Sequence, residues 1–270
     1  MPDVYIDIAE AEDAVQERIA EILELRAADA QQREMLEAYV HQIELPRDAH
    51  VLEVGSGTGA VSRYLADLPG VTRVTGIDPS PILVARARAI GGPSHLSFDQ
   101  GDGRALPYAD AEFDLVVFHT VLCHVPGVEG PLAEAFRVLR PGGQVAVFDG
   151  DYATTTVAIG DTDPLTICAD AAIEAVVHDR WLVRRLRLLV EQAGFVAGPL
   201  RSHGYVETDD PAYMLTLVDR GADALASSGR TDTATAEALK EEARLRVRAG
   251  TFFGHIAYAS IVGRKPGASA

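Results

Sequence analysis

Three short clusters in this chain combine residue types that could hold a nucleoside-like ligand. Glu53-Val54-Gly55-Ser56-Gly57-Thr58-Gly59 follows an apolar run and precedes an amphipathic one carrying Val61, Leu65 and Leu68. Glycines at this spacing let the backbone turn tightly and let a ligand approach main-chain N–H groups at a helix N-terminus. Gly55, Gly57 and Ala60 also satisfy a relaxed dinucleotide fingerprint, so the loop alone leaves its ligand open. About 20 residues on, Gly76-Ile77-Asp78-Pro79 puts a carboxylate where it could accept both hydroxyls of an adenosine ribose. Hydrogen bonds to a charged acceptor are each worth about 1.5–3 kcal/mol. Asp78 or Ser80 could instead cap the helix that follows. In the third cluster, Asp99-Gln100-Gly101-Asp102-Gly103, a carboxylate between glycines can accept from an adenine amine while the Gly103 N–H donates to the ring. Gly-Asp-Gly is equally good turn sequence.

These clusters need elements to position them. HVLEV (50–54), VTRVTGI (71–77), HLSF (95–98), FDLVVFH (113–119) and QVAVFD (144–149) are short, β-branched and bounded by turns, which predicts strands. Helical patterns at 60–68, 80–90 and 130–139 lie between them. Strands alternating with helices imply right-handed parallel crossovers and an α/β sheet covered on both faces. Such sheets bind ligands beyond the carboxyl ends of their strands, where all three clusters fall. After Asp149 the alternation breaks. Apolar-periodic stretches at 165–178 and 180–193 end at the helix-stop Gly194. GPLRSHGYVE, a helical pair at 211–227 and 232–248 and a last strand, FFGHIAYASIVG, complete the chain. The helical insertion, about 209–249, either packs structurally or encloses a ligand.

Composition narrows the partners. The 270 residues carry 24 basic and 40 acidic side chains, a formal charge of −16. That balance disfavours nucleic acid and anionic membrane, which must be met by Lys and Arg. Residues 1–45 hold 12 of the acids and three basic residues, Arg18, Arg26 and Arg33, and read as two helices. Their narrow apolar stripe predicts a solvated segment packed along one side, or a lid over a site. The rest, 46–270, reads as one domain. Two cysteines cannot build a disulfide framework or a four-thiolate metal site, and no stretch approaches the ~20 apolar residues of a membrane helix. No metal site is expected. A reducing cytoplasm is the expected location; oligomeric state is not legible.

Taken together, Glu-x-Gly-x-Gly-x-Gly, Ile-Asp and Gly-Asp, with LPYADAEFDLVVFHTVLCHV and LAEAFRVLRPGGQVAVFD, resemble the class I S-adenosylmethionine-dependent methyltransferases. The likeness is strongest to the ubiquinone/menaquinone-biosynthesis-type group and its small-molecule relatives, over roughly residues 47–150. It implies a doubly wound, mostly parallel seven-stranded sheet of order 3-2-1-4-5-7-6, with S-adenosyl-L-methionine across the ends of strands 1, 2 and 4. Carried over by motif, Glu53, Gly55, Ser56, Gly57 and Gly59 would line the methionine moiety. Asp78 would hold the ribose, Pro79 and Ile82 would wall the adenine, and Gly101, Asp102 and Gly103 would read its edge. His119 and Thr120 would lie near the amino-acid portion. Arg33 could meet the cofactor carboxylate or pair with Glu37 one turn on.

Methyl transfer is in-line displacement at an activated carbon, so alignment does most of the work and can lower the barrier by about 7–11 kcal/mol. A general base adds typically ~10²- to 10⁴-fold when the acceptor is a hydroxyl, phenol or acidic carbon. His124 is the candidate base; Asp151 and Tyr152, following strand 5, are candidates beside it, Tyr152 for shaping the acceptor pocket. His203, Tyr205, His255 and Tyr258 lie further from the motifs, and any single histidine can be structural. The expected activity is methyl transfer to a small organic molecule. A non-transferring S-adenosylmethionine binder, cyclase-like or regulatory, is the second reading, and a nicotinamide-dependent dehydrogenase the third.

Overall fold

Every residue of β1 (Ala49–Val54) is buried, as expected of a strand with neighbours on both sides and helices on both faces. In the computed structural model, which describes residues 5, 6 and 8–267, this strand is the centre of the sheet. Parallel to it on one side run β2 (Val71–Asp78) and then β3 (Leu96–Gln100). On the other run β4 (Phe113–His119) and β5 (Leu139–Thr156), also parallel. Strand β8 (Gly254–Arg264) then lies antiparallel to β5, and pairs along its far edge with the short β6 (Val196–Ala197) and with β7 (Arg201–Glu207). The order is β3-β2-β1-β4-β5-β8-β6, with β7 also on β8. Counting β6 and β7 as one interrupted sixth strand gives the 3-2-1-4-5-7-6 order that the motifs imply.

Helices α3 (Ala60–Ala66), α4 (Pro81–Ile90) and α5 (Glu129–Val138) make the crossovers. Ser80 caps α4, its hydroxyl accepting from the Leu83 N–H at 3.1 Å. The fifth strand exceeds the expected 144–149 at both ends. Leu139 pairs with Phe113, and Thr156 meets His255 of β8 beyond an irregularity after Asp151. After it come α6 (Thr166–Val176) and α7 (Leu186–Gln192), the latter preceded by a 3₁₀ turn at Leu182–Arg185.

The insertion is an antiparallel pair, α8 (Ala212–Ser227) and α9 (Thr233–Ala249). Buried Glu207, at the end of β7, fixes its start by accepting the N–H groups of Tyr213 and Met214. Gly221 of α8 lies so close to the Cys168 backbone of α6 that no Cβ would fit.

The N-terminal helices α1 (Asp13–Ala28) and α2 (Ala30–Val40) are joined at Asp29, whose carboxylate caps α2 by accepting the Gln32 N–H at 2.8 Å. Their apolar stripe does more than coat one side. Ile22, Met35, Leu36, Tyr39 and Val40 enter the same contiguous core as β1 and β4. Buried Gln16 ties α1 to the start of α4, accepting from the Ser80 hydroxyl at 2.5 Å. These helices roof the carboxyl edge of the sheet.

Candidate functional site

The carboxyl ends of β1, β2 and β4, the glycine loop and α1–α2 enclose a cavity of about 710 Å³. That lies within the usual range for small-ligand sites, about 300–1,000 Å³. The loop's shape requires its glycines. Gly57 sits at φ +52° under Leu23 of α1, and a Cβ there would come within 2.8 Å of the leucine methyl. Gly59, at φ +85°, is the residue before α3, and a Cβ would run into the Phe98 ring.

Two buried carboxyls stand at the cavity's base. Asp78 accepts the Gly57 N–H at 2.8 Å and the Ser80 N–H at 2.9 Å. Burial outweighs these bonds and pushes its pKa up to about 6. Asp78 thus cradles the loop and contributes to the turn into α4, while Ser80 provides the helix cap. Glu53 accepts from the Ser62 hydroxyl, and burial raises its pKa to about 8. Asp102 takes three hydrogen bonds from the Arg104 side chain and one from its N–H, which hold its pKa below the usual carboxylate range.

His119, at the end of β4, is stacked on Phe148 with ring centroids 4.7 Å apart, and its Nδ1 lies 3.1 Å from the Tyr39 hydroxyl. Burial, with the Arg26 charge nearby, lowers its pKa to about 3, so the ring is neutral at physiological pH. Thr120 follows at φ +55°, its N–H donating to Phe148 O at 2.7 Å. A non-glycine residue held there against sterics is the kind of strain that clusters at binding sites.

Of the residues singled out in the sequence, Glu53, Gly55, Ser56, Gly57, Asp78, Pro79, Asp102, Gly103, His119, Thr120 and His124 line the cavity. Gly59, Ile82, Gly101 and Tyr152 do not. Gly59 shapes the loop from behind, and Leu83 takes the place on the wall expected for Ile82. Gly101 backs onto Ile77, and Tyr152 is buried under Gly150 and edge-on to Tyr258. Asp151 pairs with Arg184, and of the more distant candidates His203 bonds Ser260 and Tyr205 donates to Glu207. Arg33 reaches the rim, and no Arg33–Glu37 ion pair forms among the described residues. Tyr5, Leu23 and Arg26 also line the cavity. Arg26 had a signal, since it falls three and four residues after Leu23 and Ile22, a cation on the apolar stripe.

The lining fits an S-adenosyl cofactor. The Ser56 hydroxyl is buried in the loop without a hydrogen-bond partner, and Asp78 is a desolvated acceptor facing the same space. Sheet order, glycine loop and the cavity at the strand ends define a class I methyltransferase architecture. Residues 52–147 match the family described as a methyltransferase domain. A ubiquinone/menaquinone biosynthesis C-methyltransferase of Paracoccus denitrificans is 41% identical over 110 residues, which cover 38% of this chain and 44% of that protein. A sterol 24-C-methyltransferase of Eremothecium gossypii is 29% identical over 216 residues, 73% and 56% of the two chains. The chain spans about half the length of the curated relatives it matches. Among solved structures, a Haemonchus contortus phosphoethanolamine N-methyltransferase superposes with a TM-score of 0.54 at 16% identity, covering 86% of this chain and 52% of that one. The [4+2]-cyclase SpnF gives 0.56 at 20%, covering 89% and 85%; both likenesses show the fold. Residues 52–147 thus match a methyltransferase-domain family, on a chain whose sheet has the class I methyltransferase order.

Proposed function

We propose that this protein transfers the methyl group of S-adenosylmethionine to a small organic acceptor. The observation that carries this reading is the desolvated Asp78 carboxylate, set beside a glycine loop and facing the cavity. When bound, the cofactor supplies a methyl on a sulfonium centre, already activated for displacement. The chain's own task is to bind, align and exclude water. Asp78 would accept the ribose hydroxyls, and Asp102 with the Gly103 N–H would hold the adenine edge between Pro79 and Leu83. Leu23 and Leu36 roof the site against water.

His124 is the group best disposed to take a proton from an acceptor. It lines the cavity and lies close enough to the fully buried Asp149 for the two charges to interact. Asp149 accepts the Cys123 and Gly150 N–H groups, which fix its carboxylate within electrostatic reach of His124. His119, neutral and stacked, serves as wall.

A small acceptor is what the names of the sterol and quinone relatives describe, and the charge of −16 disfavours nucleic acid. Among the described residues no helix is long and apolar enough to cross a membrane. Both cysteines are buried and unbridged, which suits the reducing cytoplasm proposed as its location.

The test is incubation with S-adenosylmethionine and the low-molecular-weight fraction of a cell extract, followed by mass spectrometry. Formation of S-adenosylhomocysteine together with a methylated product is expected. Tight cofactor binding with no turnover on any fraction would contradict transfer and favour a non-transferring use of the site.

A further inference from the structure

The cavity has two electrostatic ends. Its buried acids, Glu53 and Asp78, stand at the glycine loop and the end of β2. At the other end Asp149 lies close to His124, and the cavity wall itself carries the guanidinium of Arg26. Arg26 of α1 lies over the Tyr213 ring at 5.3 Å and makes one long hydrogen bond, 3.4 Å, to the Thr120 hydroxyl. Its Nε is buried with no partner. Arg220 of α8 donates to the Tyr5 hydroxyl, which Arg26 approaches as well. Among the described residues neither arginine forms an ion pair. The acids next to Arg220 on α8 are taken, Asp219 by Arg244 at 2.8 Å and Asp223 by Lys240 at 2.5 Å.

Tyr5 occupies this end of the cavity. Its ring packs on His124, centroids 4.2 Å apart and planes inclined by 32°. Three residues on, Ile8 is anchored in a separate apolar cluster with Ile19, Ala20 and Leu83. Tyr5 and Leu23 pack against that cluster from outside.

A buried guanidinium without a counter-charge is costly, and an oxyanion matched to its donors offsets that cost. A flat ring over an aromatic neighbour gains dispersion and quadrupole attraction. Building on the methyltransferase reading above, we propose that the acceptor is a planar molecule bearing an anionic oxygen group, with its ring on His124 and its oxygens between Arg26 and Arg220, and that Tyr5 stands in this subsite until the acceptor displaces it. The contact uses the face of His124, whereas proton removal uses a ring nitrogen in the plane, so the two roles are compatible. The cofactor's own carboxylate is the other possible source of an oxyanion for Arg26, and the test must separate the two.

The experiment is calorimetry on the full chain saturated with S-adenosylhomocysteine, titrated with benzoate, 4-hydroxybenzoate and 2-naphthoate and with the carboxamide of each. The acids should bind about tenfold or more tighter than their amides. Arg26→Gln and Arg220→Gln should each remove most of that preference, Arg26→Lys should restore part of it, and Tyr5→Ala should tighten the acids severalfold. Affinity for S-adenosylhomocysteine should stay within about threefold throughout. Equal behaviour of acids and amides, including binding by none, would overturn the proposal without relying on any variant. A large loss of S-adenosylhomocysteine affinity in Arg26→Gln, with the acid preference intact, would overturn it by giving Arg26 to the cofactor carboxylate. Failure of the wild type to bind S-adenosylhomocysteine would instead sink the methyltransferase reading on which it rests.

Discussion

The two ends of the cavity are built in opposite ways. At the cofactor end, the proposed binding groups sit on short runs of residues at the tips of adjacent parallel strands. Gly55 to Gly59 follow β1, Asp78 ends β2 and Asp102 follows β3, so strand register alone brings them together. At the proposed acceptor end, Tyr5, Arg26, His124 and Arg220 come from an N-terminal segment, α1, the turn after β4 and α8. No short spacing connects them; packing of α1 on α4 and α8, and of α8 on α6, does. One end is fixed by local backbone geometry and the other by tertiary assembly. Such a division lets one fold keep its cofactor while its acceptor varies.

This contrast can be broken most severely at Asp78. Asp78→Ala removes a charged acceptor for two hydroxyls and should weaken S-adenosylhomocysteine binding about 100-fold by calorimetry. The acceptor end should be nearly untouched. Conversely, His124→Gln should lower turnover at least about tenfold once an acceptor is known, with cofactor affinity within about threefold. Unchanged turnover would remove the base role and leave His124 as a packing surface.

Proton linkage sharpens the same division. The pKa of Asp78 is raised to about 6, and ribose hydroxyls donate best to the ionised form. Cofactor affinity should therefore fall about tenfold as pH drops from about 7 to about 5, and Asp78→Asn should abolish that dependence. Glu53, raised to about 8, holds a proton in the folded state that it has lost in the unfolded chain between about pH 4.5 and 8. Its contribution to stability therefore declines as pH rises through that window. Glu53→Gln removes the decline, so the melting temperature of the variant relative to wild type should climb across that window by roughly 10 °C or more, at about 1.4 kcal/mol per pH unit and about 2–4 °C per kcal/mol. A constant difference across pH would show that Glu53 is ionised throughout.

How much was legible in the sequence follows from that contrast. The place of Asp78 and the glycine loop at the cavity could be read because the motif sets them at fixed offsets from strand ends. The sheet order followed from the motifs, and the extra break between β6 and β7 leaves that order intact. Tyr152 and Ile82 illustrate the limit. Both adjoin strand ends, but the pleat turns Tyr152 into the core beside Tyr258, and the helical phase of α4 presents Leu83 to the cavity. Position along the chain gave the neighbourhood; orientation needed the fold. Arg26 was hidden for a further reason. In an acidic helix a basic residue is ordinarily a surface charge, and only the core contacts of Ile22 on the same face show that Arg26 points inward.

The most direct test of the central claim is titration calorimetry of the purified chain with S-adenosylmethionine, S-adenosylhomocysteine and NADH. Binding of the first two, lost in Asp78→Ala, with no heat from NADH, is the expected result. Binding of NADH alone would contradict the cofactor assignment and return the glycine loop to the dinucleotide reading its spacing also allows.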